Sequence, residues 1–301
     1  METDALCHQR NSFLQRKIRG ALRHFFPGLG TDYLPAGPRT VPEAHRDMAS
    51  HRPPQIAQPA ERSHLPFLRG IDHMFLFSRK LIQDSIATHK VPEHKLELIH
   101  WGPDLAFYDH LLKELPPQPR EGYISTGKEN RDLKTMLEAF SQTEEDLEVF
   151  IAETCGNLNY KQIADSLTLT DNIHIHYTEG VIPYELAKKV AQKKAIVICC
   201  LDFPYTVGLT TLVEAYALGI PVICSKNPNF EIDIEKEGIG IAVEYGDVEG
   251  WVKAIRYLHT HPEEAERMGR NARKLGEERF NLALFSKEIA ERLLHISTKN
   301  S

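Results

Sequence analysis

From residue 122 onward, apolar runs alternate with stretches of helical periodicity, and few architectures accept that pattern. The runs are GYIST (122–126), LEVFIAE (147–153), NIHIHY (172–177), AIVICCL (195–201), IPVICS (220–225) and GIAVEY (240–245). Helical patterns fill the gaps at 131–141, YKQIADSL, PYELAKKVAQ (183–192) and GLTTLVEAYALG, and three more follow the last run. A strand with one wet face alternates apolar and polar residues, whereas a continuous apolar run suits a strand covered on both faces. Strand–helix alternation of this kind predicts an α/β fold built on a doubly wound, mostly parallel sheet. In such sheets ligands bind at the carboxyl ends of the strands.

The region before 122 reads differently. HMFLFS (73–78) is a short strand, RKLIQDSIATH a helix, and HKLELIHWGPD (94–104) a strand ending in a Gly-Pro turn. LPPQPR (115–120) follows as a hinge candidate. Residues 27–66 carry eight of the eighteen prolines and no periodicity, which predicts a poorly ordered segment. Over 10–26, Leu14, Ile18, Leu22, Phe25 and Phe26 recur at helical spacing, with Arg10, Arg16, Lys17, Arg19 and Arg23 around them. Such a helix either packs on the protein or lies on an anionic membrane surface. The expected division is therefore 1–66 (basic helix and Pro-rich segment), 67–114 (a first, incomplete domain), 115–285 (the sheet domain) and 286–301 (a last helix and tail).

Charge and cysteine usage narrow the function classes. Lys+Arg minus Asp+Glu is 36 − 42 = −6, which gives no global case for nucleic acid. The cysteine count of five is odd, and Cys199, Cys200 and Cys224 sit in strand-like apolar runs. Buried free thiols fit a reducing cytoplasm better than a disulfide framework. No apolar run approaches the roughly 20 residues that span a bilayer, and no secretion signal is visible. His174 and His176 share one strand face, but no third ligand is spaced for zinc.

TVGLTTLVEAYALGIPVICS (206–225) carries the most chemistry. A helix beginning near Gly208, whose missing Cβ lets a ligand approach the backbone closely, presents the free N–H groups of Gly208, Leu209, Thr210 and Thr211, and with the helix dipole these suit an anion. Glu214, one turn further in, is a poor partner for phosphate but a good acceptor for two sugar hydroxyls. Diphosphate at the helix start and a ribose near Glu214 together describe a nucleoside-diphosphate site. A plain sheet-covering helix with a solvated Glu214 is the competing reading.

These residues resemble the donor-site helix of glycosyltransferase family four, enzymes of the GT-B fold (the group 1 glycosyltransferases). Glu214 matches the second of the family's two glutamates, which holds the nucleotide ribose. Thr206 stands where the first glutamate would face the donor sugar, so a hydroxyl replaces a charge there. STGKENRDLKTMLEAF (125–140) resembles the strand–loop–helix that meets the diphosphate. Gly127 matches its glycine, Lys128 its arginine and Arg131 its lysine; the resemblance makes the two cations catalytic by stabilising the leaving diphosphate. HYTEGVIPYELAKKV (176–190) resembles the segment lining the base pocket, with backbone groups near Gly180, Val181 and Ile182 on the base. The C-terminal helices resemble those of the family, the last of which crosses back to the first domain.

The resemblance covers about 70–295. It implies a cytoplasmic hexosyltransferase of polysaccharide biosynthesis, retaining and metal-independent, with no cofactor beyond a nucleotide-sugar donor. The acceptor would be a saccharide or a lipid-linked one, which would give peripheral membrane contact through 10–26 a purpose. A donor-binding half that needs a partner chain, or an inactive remnant, is the alternative, because no full first-domain sheet is visible. An epimerase of the same architecture fits less well, since it needs acid–base groups in both domains.

Overall fold

A computed structural model describes residues 70–178 and 183–299. The basic segment 10–26, the Pro-rich stretch 27–66, and Gly180, Val181 and Ile182 lie outside the described residues.

A small lobe comes first. β1 (Met74–Leu76) and β2 (Leu96–Leu98) form a two-stranded parallel sheet, joined through α1 (Arg79–Ala87) and a 3₁₀ turn at Glu93–Lys95. Ser78 caps α1 by accepting from the Leu81 N–H. β2 is shorter than the stretch 94–104 suggested, because Gly102-Pro103 turns the chain into α2 (Leu105–Glu114), capped by Asp104. That helix has no counterpart in the sequence reading.

The sheet domain then follows β3 (Tyr123–Thr126), α3 (Leu133–Phe140), β4 (Leu147–Ile151), a hairpin of β5 (Thr154–Cys155) and β6 (Leu158–Asn159), and α4 (Tyr160–Asp165). Next come β7 (Ile173–Tyr177), α5 (Pro183–Ala191), β8 (Ala195–Ile198), α6 (Leu209–Leu218), β9 (Val222–Ser225) and β10 (Gly240–Val243). The hairpin was not anticipated; Gly156, at φ 59°, makes its turn. Six strands form one sheet in the order β10-β9-β8-β3-β4-β7, every pair parallel. Strand order reverses between β3 and β8, so the switch point lies there.

Alternate residues of each strand face opposite layers, as the pleat requires. Ile196 and Ile198 pack with Leu212, Tyr216 and Val190 on one face. Ala195, Val197 and Cys199 pack with Met136, Phe140 and Trp251 on the other. Each such fully buried aliphatic side chain contributes about 1.5–3 kcal/mol of transfer free energy. Both faces of the central strands are covered, which is why their runs lack alternation; β7, at the sheet edge, alternates instead.

Three helices complete the fold: α7 (Val248–Thr260), α8 (Pro262–Glu278) and α9 (Leu282–Lys299). α9 reaches back to the small lobe. Glu288 accepts from the His100 N–H at 2.8 Å, and Arg292 pairs with Glu97 at 3.0 Å. At the α8–α9 joint the Leu282 N–H donates to the Pro103 carbonyl at 2.9 Å. Gly102 is required there, since a Cβ would overlap the Phe280–Asn281 backbone.

Candidate donor-binding site

The loops after β3 and β8 meet at the switch point. Asp132 N–H donates to the Cys199 carbonyl at 3.1 Å, and Leu201 N–H to the Asn130 carbonyl at 2.9 Å. Joined this way, the two loops form one rigid rim at the carboxyl ends of the central strands.

Arg131 lies beneath that rim and is only 4% exposed. Its Nε and Nη2 donate to the Thr126 carbonyl, Nη1 to the Glu129 carbonyl and to Cys200 Sγ, and Nη2 also to Thr211 Oγ1, over 2.9–3.4 Å. These contacts occupy all five guanidinium donors. Every acceptor is neutral, and Arg131 forms no ion pair among the described residues. The site therefore holds a fixed cation that is not ion-paired, with Glu129 lining the same cleft. With its donors engaged in this way the guanidinium has none left over for direct contact with a ligand, which the resemblance implied. Gly127, at φ +107°, exists for this side chain: a Cβ would overlap the guanidinium. Lys128 beside it is exposed and, among the described residues, makes no hydrogen bond or ion pair, so its ammonium is free to move.

Across the rim, Gly208 opens α6 in the left-handed region, at φ 91°, with no side-chain cap. Its missing Cβ makes room for Ile198 Cγ2 of the core. The sequence reading assigned that room to a ligand. Leu209 N–H donates to the Thr206 carbonyl at 3.1 Å, which removes one of the four expected anion donors. Among the described residues the N–H groups of Gly208, Thr210 and Thr211 have no partner. The Thr211 hydroxyl turns inward to Thr126 and Arg131, Thr210 is exposed, and Thr206 is buried against the cleft.

Glu214 sits in the second turn of α6, partly buried. Burial pushes its carboxyl up to about 7, and a hydrogen bond from the Tyr108 hydroxyl at 3.4 Å opposes that rise. Burial, then the Glu214 charge, raises the Tyr108 phenol well above the ordinary tyrosine range.

Between the flanks lies a cleft of about 650 Å³, the size range of small-molecule sites. Gly127, Lys128, Arg131, Thr206, Gly208, Leu209 and Thr210 all line it; Glu214 does not. Sequence reasoning missed its aromatic wall of Phe77, Trp101, Phe150 and Tyr205. Phe77 and Trp101 come from the small lobe, with ring centroids 5.8 Å apart. The Trp-Gly-Pro turn at 101–103 was the available signal, since it fixes the ring where the chain leaves the lobe. His174 and His176 lie exposed on β7 rather than in the core, and His176 stacks on Phe150 at 4.5 Å. Among the described residues no group of three or more His, Cys, Asp or Glu is placed to hold a metal ion.

The sequence family described as glycosyl transferases group 1 matches residues 118–275, just over half of the chain. The chain belongs to the group 1 glycosyl transferases. Solved structures agree on the fold. A glycosyltransferase from Rickettsia africae ESF-5 is 19% identical with a TM-score of 0.61, over 79% of this chain and 66% of that one. Sucrose-phosphate synthase from Thermosynechococcus elongatus is 16% identical with a TM-score of 0.62, over 77% and 61%. Anabaena Alr3699/HepE, solved in complex with UDP and glucose, is 16% identical with a TM-score of 0.58, over 74% and 62%. This group 1 chain thus has the GT-B-type α/β architecture and spans about two thirds or less of those proteins' lengths. No curated protein matches its sequence significantly. No helix of the described residues is long and apolar enough to cross a membrane.

Proposed function

We propose that this chain is a glycosyltransferase that moves a sugar from a nucleoside-diphosphate donor to a saccharide or lipid-linked acceptor, with retention and without a metal. The observation that carries the reading is Arg131, a buried cation with no ion-pair partner among the described residues, set across a cleft from an uncapped helix start. A diphosphate would bring negative charge between the two. As the sugar–phosphate bond breaks, charge grows on the departing diphosphate. The fixed field of Arg131, the mobile Lys128 ammonium and the N–H groups of Gly208 and Thr210 stabilise it. Glu214 accepts the ribose hydroxyls. Thr206 faces the sugar with a hydroxyl instead of a carboxylate. Gly127 leaves room for Arg131, and Val181, outside the described residues, keeps the base-contacting role that the resemblance implies. That a protein of the same fold was solved in complex with UDP and glucose supports a nucleotide-sugar donor.

A second reading has a specific observation behind it: among the described residues the sheet before the hinge has two strands. In that reading the chain is the donor-binding half and a partner chain supplies the acceptor side. A basic membrane contact through 10–26 would serve a lipid-linked acceptor in either case, at the cytoplasmic face.

One experiment separates these readings. The purified chain is melted with UDP, GDP, ADP, the corresponding nucleosides and the glucose conjugates in excess EDTA, then assayed for sugar transfer. A raised Tm with diphosphates but not with nucleosides supports the donor site. No shift with any diphosphate overturns it. Binding without transfer favours the donor-half reading.

A further inference from the structure

The carboxylate proposed for the ribose has a partner that the sequence reading did not supply. Tyr108 stands on α2, and α2 is held at several points. Asp104 caps it by accepting from Ala106 and Phe107 N–H at 3.1 and 3.3 Å. Asp109 pairs with Arg273 of α8 at 2.8 Å. Phe107 meets the Tyr108 ring edge-on at 5.1 Å and Tyr184 of α5 at 5.8 Å. The phenol is thereby fixed, with its hydroxyl 3.4 Å from Glu214 Oε1. That contact is long for O–H···O, as such contacts often are before a ligand closes the site.

We propose that Tyr108 is a positioning residue, whose hydroxyl holds the Glu214 carboxylate as the acceptor for the ribose diol; this rests on the nucleoside-diphosphate reading above. An ionised carboxylate has about four acceptor positions on two oxygens. Tyr108 engages Oε1, and Oε2 has no hydrogen bond among the described residues; Glu214 is outside the cleft lining, so the proposal requires the ribose to reach past that lining to Oε2. A carboxyl drawn into low dielectric takes up a proton unless something stabilises its charge. Once protonated it accepts a diol poorly. Tyr108 is the side chain that opposes this.

The other charged groups around α6 turn elsewhere. Arg131 reaches Thr211 on the strand side. Arg273 of α8 reaches the Ala217 carbonyl, Asp109 and Glu277. From α5, the Tyr184 hydroxyl and Lys188 reach Glu114.

The test uses the full chain and titration calorimetry between pH 6 and 9. The ligands are the tightest-binding of UDP, GDP and ADP, and its 2′-deoxy counterpart. Their affinity ratio cancels phosphate ionisation, which both share. Wild type should prefer the ribonucleotide by about tenfold at pH 8, the scale of one charge-assisted hydrogen bond, with the preference growing as pH rises through 7. Tyr108→Phe keeps the ring and its stacking, and should show almost no preference at pH 7.5, regaining it only at higher pH. A Tyr108→Phe ratio and pH midpoint equal to wild type overturns the proposal. Glu214→Gln locates the failure. If it erases the preference while Tyr108→Phe leaves it, positioning fails and the ribose assignment stands; if Glu214→Gln also leaves it, both fall. Should Tyr108→Phe not fold, 3-fluorotyrosine at 108 replaces it. This more acidic phenol donates more strongly and should move the midpoint down; an unmoved midpoint overturns the proposal.

Discussion

The two flanks of the cleft treat buried charge in opposite ways. On the β3 side, Arg131 is closed off: five donors meet backbone carbonyls, a thiol and a hydroxyl, all neutral. On the α6 side, Glu214 is partly buried outside the cleft lining, with one long hydrogen bond from Tyr108 and a carboxyl raised to about 7 by burial. A saturated cation cannot rearrange toward a ligand, so its effect is a constant field. A carboxylate with unused acceptor positions can bind, and its protonation can change. In the proposed function, rigidity on one side and unmet hydrogen-bonding capacity on the other would divide the work of holding a diphosphate and a sugar.

Arg131→Met puts the largest strain on that comparison. It leaves the carbonyls of Thr126 and Glu129 without their donors, and should lower unfolding stability by roughly 2–4 kcal/mol in urea denaturation. A near-neutral result would mean the guanidinium is not built into the rim. Gly208→Ala comes next. It forces a side chain onto Ile198 at positive φ, and should cost about 2 kcal/mol by the same measurement. Full stability would return Gly208 to the ligand-approach role that sequence suggested.

Glu214→Gln should act in the other direction. The carboxyl rises from its ordinary 4.5 to about 7 on folding, so the folded state holds its proton more tightly than the unfolded chain. Wild type therefore loses stability as pH climbs from about 4.5 through 7, and the penalty is complete above 7. Glutamine has no such penalty. The variant should match wild type near pH 4.5 and exceed it by about 1–2 kcal/mol at pH 8, seen in paired thermal melts. Equal stability at both pH values would show that Glu214 is solvated. Lys128→Ala is the mildest. Stability should not change, while affinity for a nucleoside diphosphate falls roughly tenfold. Unchanged affinity would make Lys128 an ordinary surface charge.

Much of the sheet was legible because a strand buried on both faces has to be apolar along its length, and AIVICC and PVICS could be little else. The helix start at Gly208 was legible too, but its reason was not. Positive φ and the approach of Ile198 come from packing between elements 10 residues apart, which no local pattern records. Arg131 stood out as a cation at a helix start, yet its burial depends on Cys200 and Thr211 arriving from other elements. The α2 helix went unread although Asp104 caps it and Leu105, Tyr108, Leu111 and Leu112 recur at helical spacing; the Gly-Pro turn before it was read as the end of a strand and LPPQPR after it as a hinge. With α2 went Tyr108, the one described side chain that hydrogen-bonds to the Glu214 carboxylate.

The most direct measurement is calorimetric titration of the chain, in excess EDTA, with a nucleoside, its monophosphate and its diphosphate. The account predicts one saturable site that binds the diphosphate more than about tenfold tighter than the nucleoside, because the second phosphate enters the field of Arg131 and reaches Lys128. Equal affinities along the series, or binding that appears only when a divalent ion is added, would contradict it.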